Sequence, residues 1–184
     1  MNKKQFFLFA LYVGIQSFIL QMIDQSIGKN LVSGGNRGFV FIAFQAWALY
    51  FLLGSTVKGA VTAFCGYIVG IIFAVIMNVG AELLSGLGIL AIPVIALIIV
   101  PVMMYFEYAS WKISNVATFF MGAGAFYGTL NYVDGIHVEE AVFIVLLYCA
   151  LGLLSGWMTI FFRHRYEDWV NMRDKNRRQE EKHE

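Results

Sequence analysis

Charge is what this chain of 184 residues has least of. Asp, Glu, Lys and Arg make up only 14% of it, against about 25% in soluble domains. Thirteen of its 25 charged residues lie from Arg163 onward, so the first 162 residues carry twelve. A soluble protein of this size cannot cover its surface with so little charge. The shortage excludes a soluble enzyme, and a net charge of +1 gives no field to gather nucleic acid. Cysteine is also scarce. Cys65 and Cys149 sit inside apolar runs with no CxxC or Cys/His cluster, so both are expected to pack as small apolar side chains, without a disulfide or metal role. Catalytic groups are missing as well: no Ser/His/Asp set, no phosphate-binding loop and no paired carboxylates within an apolar run, so neither an enzyme nor a bound cofactor or metal is expected.

What is present is apolar. The residues are 59% hydrophobic and the mean hydropathy is +0.69, the composition of an integral membrane protein. A spanning helix needs about 20 mostly apolar residues, and six such segments follow one another at 5–23, 38–53, 59–80, 86–105, 113–130 and 140–162. Backbone amides in hydrocarbon must be satisfied within their own segment, so these are expected to be helices. The expected fold class is therefore all-α: a six-helix transmembrane domain over 1–162, then a charged tail over 163–184. The apolar run near the N-terminus is too long for a signal peptide and reads as the first span.

Lysine and arginine in short loops set orientation. With the N-terminus inside, Lys3, Lys4, Lys58, Lys112, Arg163 and Arg165 collect in the cytoplasm, while Lys29 and Arg37 are the basic residues outside, together with Asp24, Glu82, Asp134, Glu139 and Glu140. Both termini are expected to be cytoplasmic. Spans one to three then begin inside and spans four to six outside, so any likeness between the halves would form a 3+3 inverted repeat.

Several side-chain patterns lie on these helices. Gly66–Gly70, Gly124–Gly128 and Gly152–Gly156 are GxxxG pairs, which place two glycines on one face and let another backbone approach. They suit helix packing inside one subunit or contact between subunits. Phe44, Trp47 and Phe51 form one stripe of span two, with Gln45 beside it. Span five is short, rich in glycine and aromatic residues, and carries Asn115, Thr118, Phe119 and Phe126. Such a helix suits protein or a water-lined cavity better than lipid. The two spans are the expected lining of a path, with the aromatic rings as walls and Gln45, Asn115 and Thr118 as hydrogen-bond partners. The ordinary alternative for each is core packing. Pro93 and Pro101 in span four remove helix hydrogen bonds and favour a kink.

The run Phe44-x-x-Trp47-x-x-Tyr50-Phe51-x-x-Gly54, then Lys58-Gly59, Gly66-x-x-x-Gly70, the Phe119/Gly122 helix and LGLLSGW at 151–157 together resemble the YcdZ-like family of small bacterial inner-membrane proteins. The resemblance implies a bacterial inner-membrane location and no known enzyme activity, and it provides no site residues. With almost no ionisable group at membrane depth, the expected function is a passive, homo-oligomeric channel or facilitator for a small uncharged solute such as urea, ammonia or a protonated acid. The alternatives are a membrane scaffold recruiting a partner through its tail and, third, a coupled transporter.

Overall fold

A computed structural model describes residues 3–32 and 38–180. Arg37, one of the basic residues assigned to the outer face, and the last four tail residues lie outside the described residues. Every regular element within them is helical. The order is α1 (Lys3–Leu31), α2 (Val40–Leu52), α3 (Val57–Leu83), α4 (Ala91–Met104), α5 (Val116–Tyr132) and α6 (Val138–Glu180), with single 3-10 segments before and after α4. Four stretches are long and apolar enough to cross a membrane: Gln5–Ile27, Val57–Leu83, Ser85–Tyr108 and Val138–Asn176. The other two helices are short. At 1.5 Å per residue, the 13 residues of α2 extend about 20 Å and the 17 of α5 about 26 Å.

Local chemistry explains most of the ends. Gly54 (φ 84°) and Ser55 (φ 56°) both adopt the left-handed region, which ends α2 and turns the chain into α3. That turn is tied by the Tyr50 hydroxyl, which donates to the Ser55 carbonyl at 3.1 Å. Thr56 then caps α3, its hydroxyl oxygen accepting from the Gly59 amide at 3.0 Å. At α6, the Glu140 carboxylate reaches back to the His137 amide at 3.3 Å, the second half of a capping box. Pro93 sits in the first turn of α4, where a missing N–H removes nothing, whereas Pro101 lies inside the helix.

The helices form two trios. In one, α2 lies along α6 in the same direction: Ala43 meets Gly152 and Tyr50 meets Gly156 so closely that a Cβ on either glycine would overlap them. The α1 helix runs back antiparallel on α6, with Tyr12 stacked on Phe162 at 3.8 Å and Gln16 beside Thr159. In the other trio, α5 lies parallel to α3, with Thr118 against Gly66, Phe119 against Gly70 and Gly122 on the Tyr67 backbone. The α4 helix runs antiparallel on α3, Ile95 meeting Gly80. The glycines at 66, 70, 152 and 156 thus carry the two closest crossings. Gly124 and Gly128 face open space.

The core belongs to α2, α3, α5 and α6. Ile42, Ala46, Tyr67, Phe126, Ile144 and Tyr148 are all buried, and Cys149 is free and buried, Cys65 free and half-buried. By contrast α1 and α4 are peripheral. Phe6, Phe7, Phe18 and Ile19 on one, and Ile92, Leu97, Ile98 and Val102 on the other, are exposed. Apolar surface on this scale fits lipid and not water.

Two expectations about ends need correcting. The first helix does not stop at residue 23 but continues to Leu31, so Asp24 lies within it and not in a loop. Asp24 is fully buried. The last helix continues well past Phe162, so the charged tail as far as Glu180 is an extension of α6. Trp169 and Met172 on that extension are exposed, while Val170 is buried, and Gln5 on α1 approaches Asp174 at 3.5 Å. The start of α1 and the exit of α6 from its apolar run therefore share one end of the molecule.

Candidate functional site: polar groups in the apolar core

A helix laid between apolar neighbours satisfies its own backbone, so side-chain polar atoms are the informative ones. Most of those buried here are paired. The Gln16 amide donates to the Ser155 carbonyl at 3.3 Å, and the Thr159 hydroxyl lies 2.8 Å from both Gln16 Oε1 and the Ser155 carbonyl. This set pins α1 to α6. The Tyr127 hydroxyl donates to the Ala74 carbonyl at 3.1 Å, joining α5 to α3.

Asp24 makes the most connected site. Its carboxyl oxygens accept from the Gly38 amide (2.9 Å), the Phe39 amide (2.9 Å) and the Tyr148 hydroxyl (2.8 Å). Phe39 precedes α2 and has no side chain able to cap it. Asp24 performs that cap from another helix and ties it to α6 through Tyr148. An acidic group also suits the positive end of the α2 dipole.

Three buried polar atoms have no hydrogen-bond partner among the described residues: Gln45 Oε1, Trp47 Nε1 and the Tyr67 hydroxyl. Trp47 and Tyr67 lie in the main core. Because α2 and α3 meet at the turn 53–56, their depths can be compared along the helices. Gln45 and Trp47 lie seven and five residues before Leu52, and Tyr67 ten residues after Val57. At 1.5 Å per residue these are roughly 10, 8 and 15 Å from the same end.

Two cavities flank this level. One of about 340 Å³ is lined by Phe9, Val13, Phe51, Ser55, Thr159 and Arg163. The other, of about 330 Å³, lies between the start of α2 and the end of α5, against Phe39, Phe41, Gly128, Thr129 and Tyr132. They occupy opposite ends of α2, whose Phe41 and Phe51 are ten residues, about 15 Å, apart. A third and larger hollow is a shallow groove on α4 and the segment after it, at Val100–Tyr108.

The expected path residues divide between different surroundings. Phe44 and Gln45 are half-buried and Trp47 is buried, with the Phe44 and Trp47 rings stacked at 6.3 Å. Phe51 is partly exposed and lines the first cavity. Asn115 is half-buried at the start of α5, and its carbonyl accepts from the Thr118 hydroxyl at 2.6 Å. Phe119 is buried in a satellite cluster with Phe73 and Met103, edge-on to Phe106 at 6.1 Å. Phe126 belongs to the main core. The structure brings Phe44, Gln45, Trp47 and Phe51 together on α2, and sets Thr118 and Phe119 on the α3 glycines. Sequence reasoning missed Asp24, Tyr148 and Tyr67. For Asp24 the one available signal was indirect: an acid in an apolar run, 15 positions before a helix start that lacks its own cap.

No group of three or more His, Cys, Asp or Glu able to hold a metal occurs among the described residues. Residues 10–164 match the family described as "Protein of unknown function (DUF1097)", and the chain belongs to that family. No curated protein and no solved structure matches it.

Proposed function

We propose that this member of the DUF1097 family is a six-span membrane protein that lets a small neutral solute cross the bilayer, with the path passing along α2. The observation that carries the reading is the trio of unpartnered polar atoms at Gln45, Trp47 and Tyr67. Leaving such groups unpaired in an apolar interior costs about 1–3 kcal/mol each. A solute carrying both donors and acceptors would pair with them: Trp47 and Tyr67 offer donors, and Gln45 and Tyr67 offer acceptors. Urea, ammonia and a protonated short acid meet that description. The cavities at either end of α2 support the same route, as an entry on each side of a short apolar stretch.

Support for six spans and an inverted repeat comes from the pairings. Exchanging helices one, two and three with four, five and six carries the α1–α6–α2 trio onto the α4–α3–α5 trio. Antiparallel packing maps onto antiparallel, parallel onto parallel, and a glycine-mediated crossing onto a glycine-mediated crossing. Lys58, Lys112 and Arg163 favour the cytoplasm for the end that also holds the N-terminus, and the YcdZ-like resemblance favours a bacterial inner membrane.

The test is stopped-flow light scattering on proteoliposomes over a panel of urea, ammonia and acetic acid, comparing the natural chain with Gln45→Leu. Flux above empty liposomes for at least one solute, reduced by Gln45→Leu, is expected. Permeability equal to empty liposomes for every solute would sink the proposal. A second reading, a scaffold, draws on the helical extension of α6 with its exposed Trp169 and Met172. Deletion beyond Arg165 separates the two, since a facilitator keeps its flux and a scaffold loses its partner.

A further inference from the structure

Two lysines from different parts of the chain meet at one indole. Lys58 Nζ lies 5.0 Å from the centre of the Trp111 ring and Lys112 Nζ 5.8 Å from it. Lys58 is the second residue of α3, at the edge of its apolar run, and Trp111 and Lys112 belong to the segment entering α5. Their meeting is fixed by the backbone: the Thr62 hydroxyl donates to the Trp111 carbonyl at 3.2 Å, and the Ile113 amide closes a turn on Ser110 at 2.8 Å.

Gathering two ammonium groups around one ring is electrostatically unfavourable unless an anion joins them. Trp111 relieves only part of this through its ring face. Among the described residues neither lysine has an acidic partner; the ion pair found there joins Arg163 to Glu167 elsewhere. The surroundings decide which anion fits. Val57, immediately before Lys58, and Val61, about one turn after it, are exposed, as is Tyr108 three residues before Trp111. A free phosphate would leave this apolar rim bare, whereas a lipid would cover it with its chains while its headgroup met the lysines. Trp at the boundary and Lys facing the headgroups is the arrangement a bilayer surface favours.

We propose that Lys58, Trp111 and Lys112 form a binding site for the phosphate headgroup of an anionic phospholipid. Its occupant bridges the start of α3 to the segment that leads into α5, bracing the α3–α5 crossing from its end. The proposal depends on a membrane location and not on any transport activity.

Native mass spectrometry of the full chain, titrated in detergent with phosphatidylglycerol and separately with phosphatidylcholine, tests it. Near a charged surface each lysine contributes about a fivefold change in affinity. Lys58→Gln or Lys112→Gln is therefore expected to weaken phosphatidylglycerol binding about fivefold, and the double variant about thirtyfold, with phosphatidylcholine unaffected. Lys58→Arg with Lys112→Arg is expected to retain binding. Arg173→Gln with Lys175→Gln, which removes the same charge from the tail, is expected to change nothing. Three outcomes would overturn the site: unaltered binding in the double glutamine variant, an equal loss in the tail variant, or full displacement of the lipid by millimolar inorganic phosphate. All five variants change exposed side chains, so an unchanged circular dichroism spectrum is expected and verifies folding.

Discussion

Replacing Asp24 by alanine removes a side chain on which three helices converge, and the structure sets the size of the effect. Besides the exposed Gln25 side-chain amide, which lies 3.4 Å away and can turn to water, three donors lose their acceptor: the amides of Gly38 and Phe39 and the hydroxyl of Tyr148. A buried donor left unpaired costs about 1–3 kcal/mol, but the three are not equivalent. Gly38 and Phe39 border the cavity between the start of α2 and the end of α5, so water can reach their amides, and the loss there approaches that of an ordinary helix cap, about 1 kcal/mol for each. Tyr148 is buried among core side chains, and its hydroxyl takes the larger penalty, about 2 kcal/mol. The expected total for Asp24→Ala is about 4 kcal/mol. Tyr148→Phe alone removes one hydrogen bond and leaves both amides paired, for about 1–2 kcal/mol. In the double variant no tyrosine hydroxyl is stranded, so the combined loss falls short of the sum by about 1–2 kcal/mol. Thermal unfolding in detergent, followed by circular dichroism, reads the order of the variants. Hydrogen exchange over residues 38–43 reads the cap itself, which should open in Asp24→Ala and stay protected in Tyr148→Phe. Unchanged exchange in the first turn of α2, or strictly additive losses, would refute the assignment of Asp24 as the cap.

Other substitutions test the packing. Gly152→Val pushes a side chain into the Ala43 carbonyl and is expected to destabilise by more than 3 kcal/mol, whereas Gly124→Ala, facing open space, should stay within about 0.5 kcal/mol; thermal unfolding separates them. Gln16→Leu strips α1 of its bonds to Ser155 and Thr159 and is expected to lose about 1–3 kcal/mol, with faster proteolysis of the N-terminal helix. Gly54→Ala forces a Cβ into a backbone at φ 84° and should cost about 1 kcal/mol, visible as increased exchange across the α2–α3 turn.

The helices were legible because their cause is local. Runs of apolar residues placed all six, with ends displaced by two or three residues in most cases. The larger misses have a common origin in distant partners. Asp24 looks like a loop residue because an acid in an apolar run usually is one; its partners stand 14, 15 and 124 positions away, where no sequence window reaches. The GxxxG pairs show the same limit. Their spacing says that a face is smooth, but not whether anything lies on it, and three identical patterns ended against α5, against α2 and against nothing. Thr118 and Phe119 read as site residues because polar and aromatic groups on a thin helix invite that reading. Their positions on Gly66 and Gly70 depend on which helix α5 chooses as its neighbour, and that choice is a property of the whole bundle.

The shortness of α2 links the fold to the proposed path. Hydrocarbon in a bilayer is about 30 Å thick, and a helix of about 20 Å cannot fill it. On the proposed six-span reading the α2 ends, at Gly38 and at Gly54–Ser55, lie below the headgroups, and each end has a cavity beside it. Irregular backbone at such depth is tolerated where it borders protein or water, which the cavities provide. What is left between Phe41 and Phe51 is an apolar barrier of about 15 Å, half the thickness of the slab, with Gln45 inside it. A neutral solute crossing there gives up its hydration over a shorter distance and meets an unpaired carbonyl on the way. An ion would still face the full desolvation penalty. On the proposed path, the geometry that would admit a small amide or a protonated acid would therefore discriminate against charge without needing a charged residue to do so.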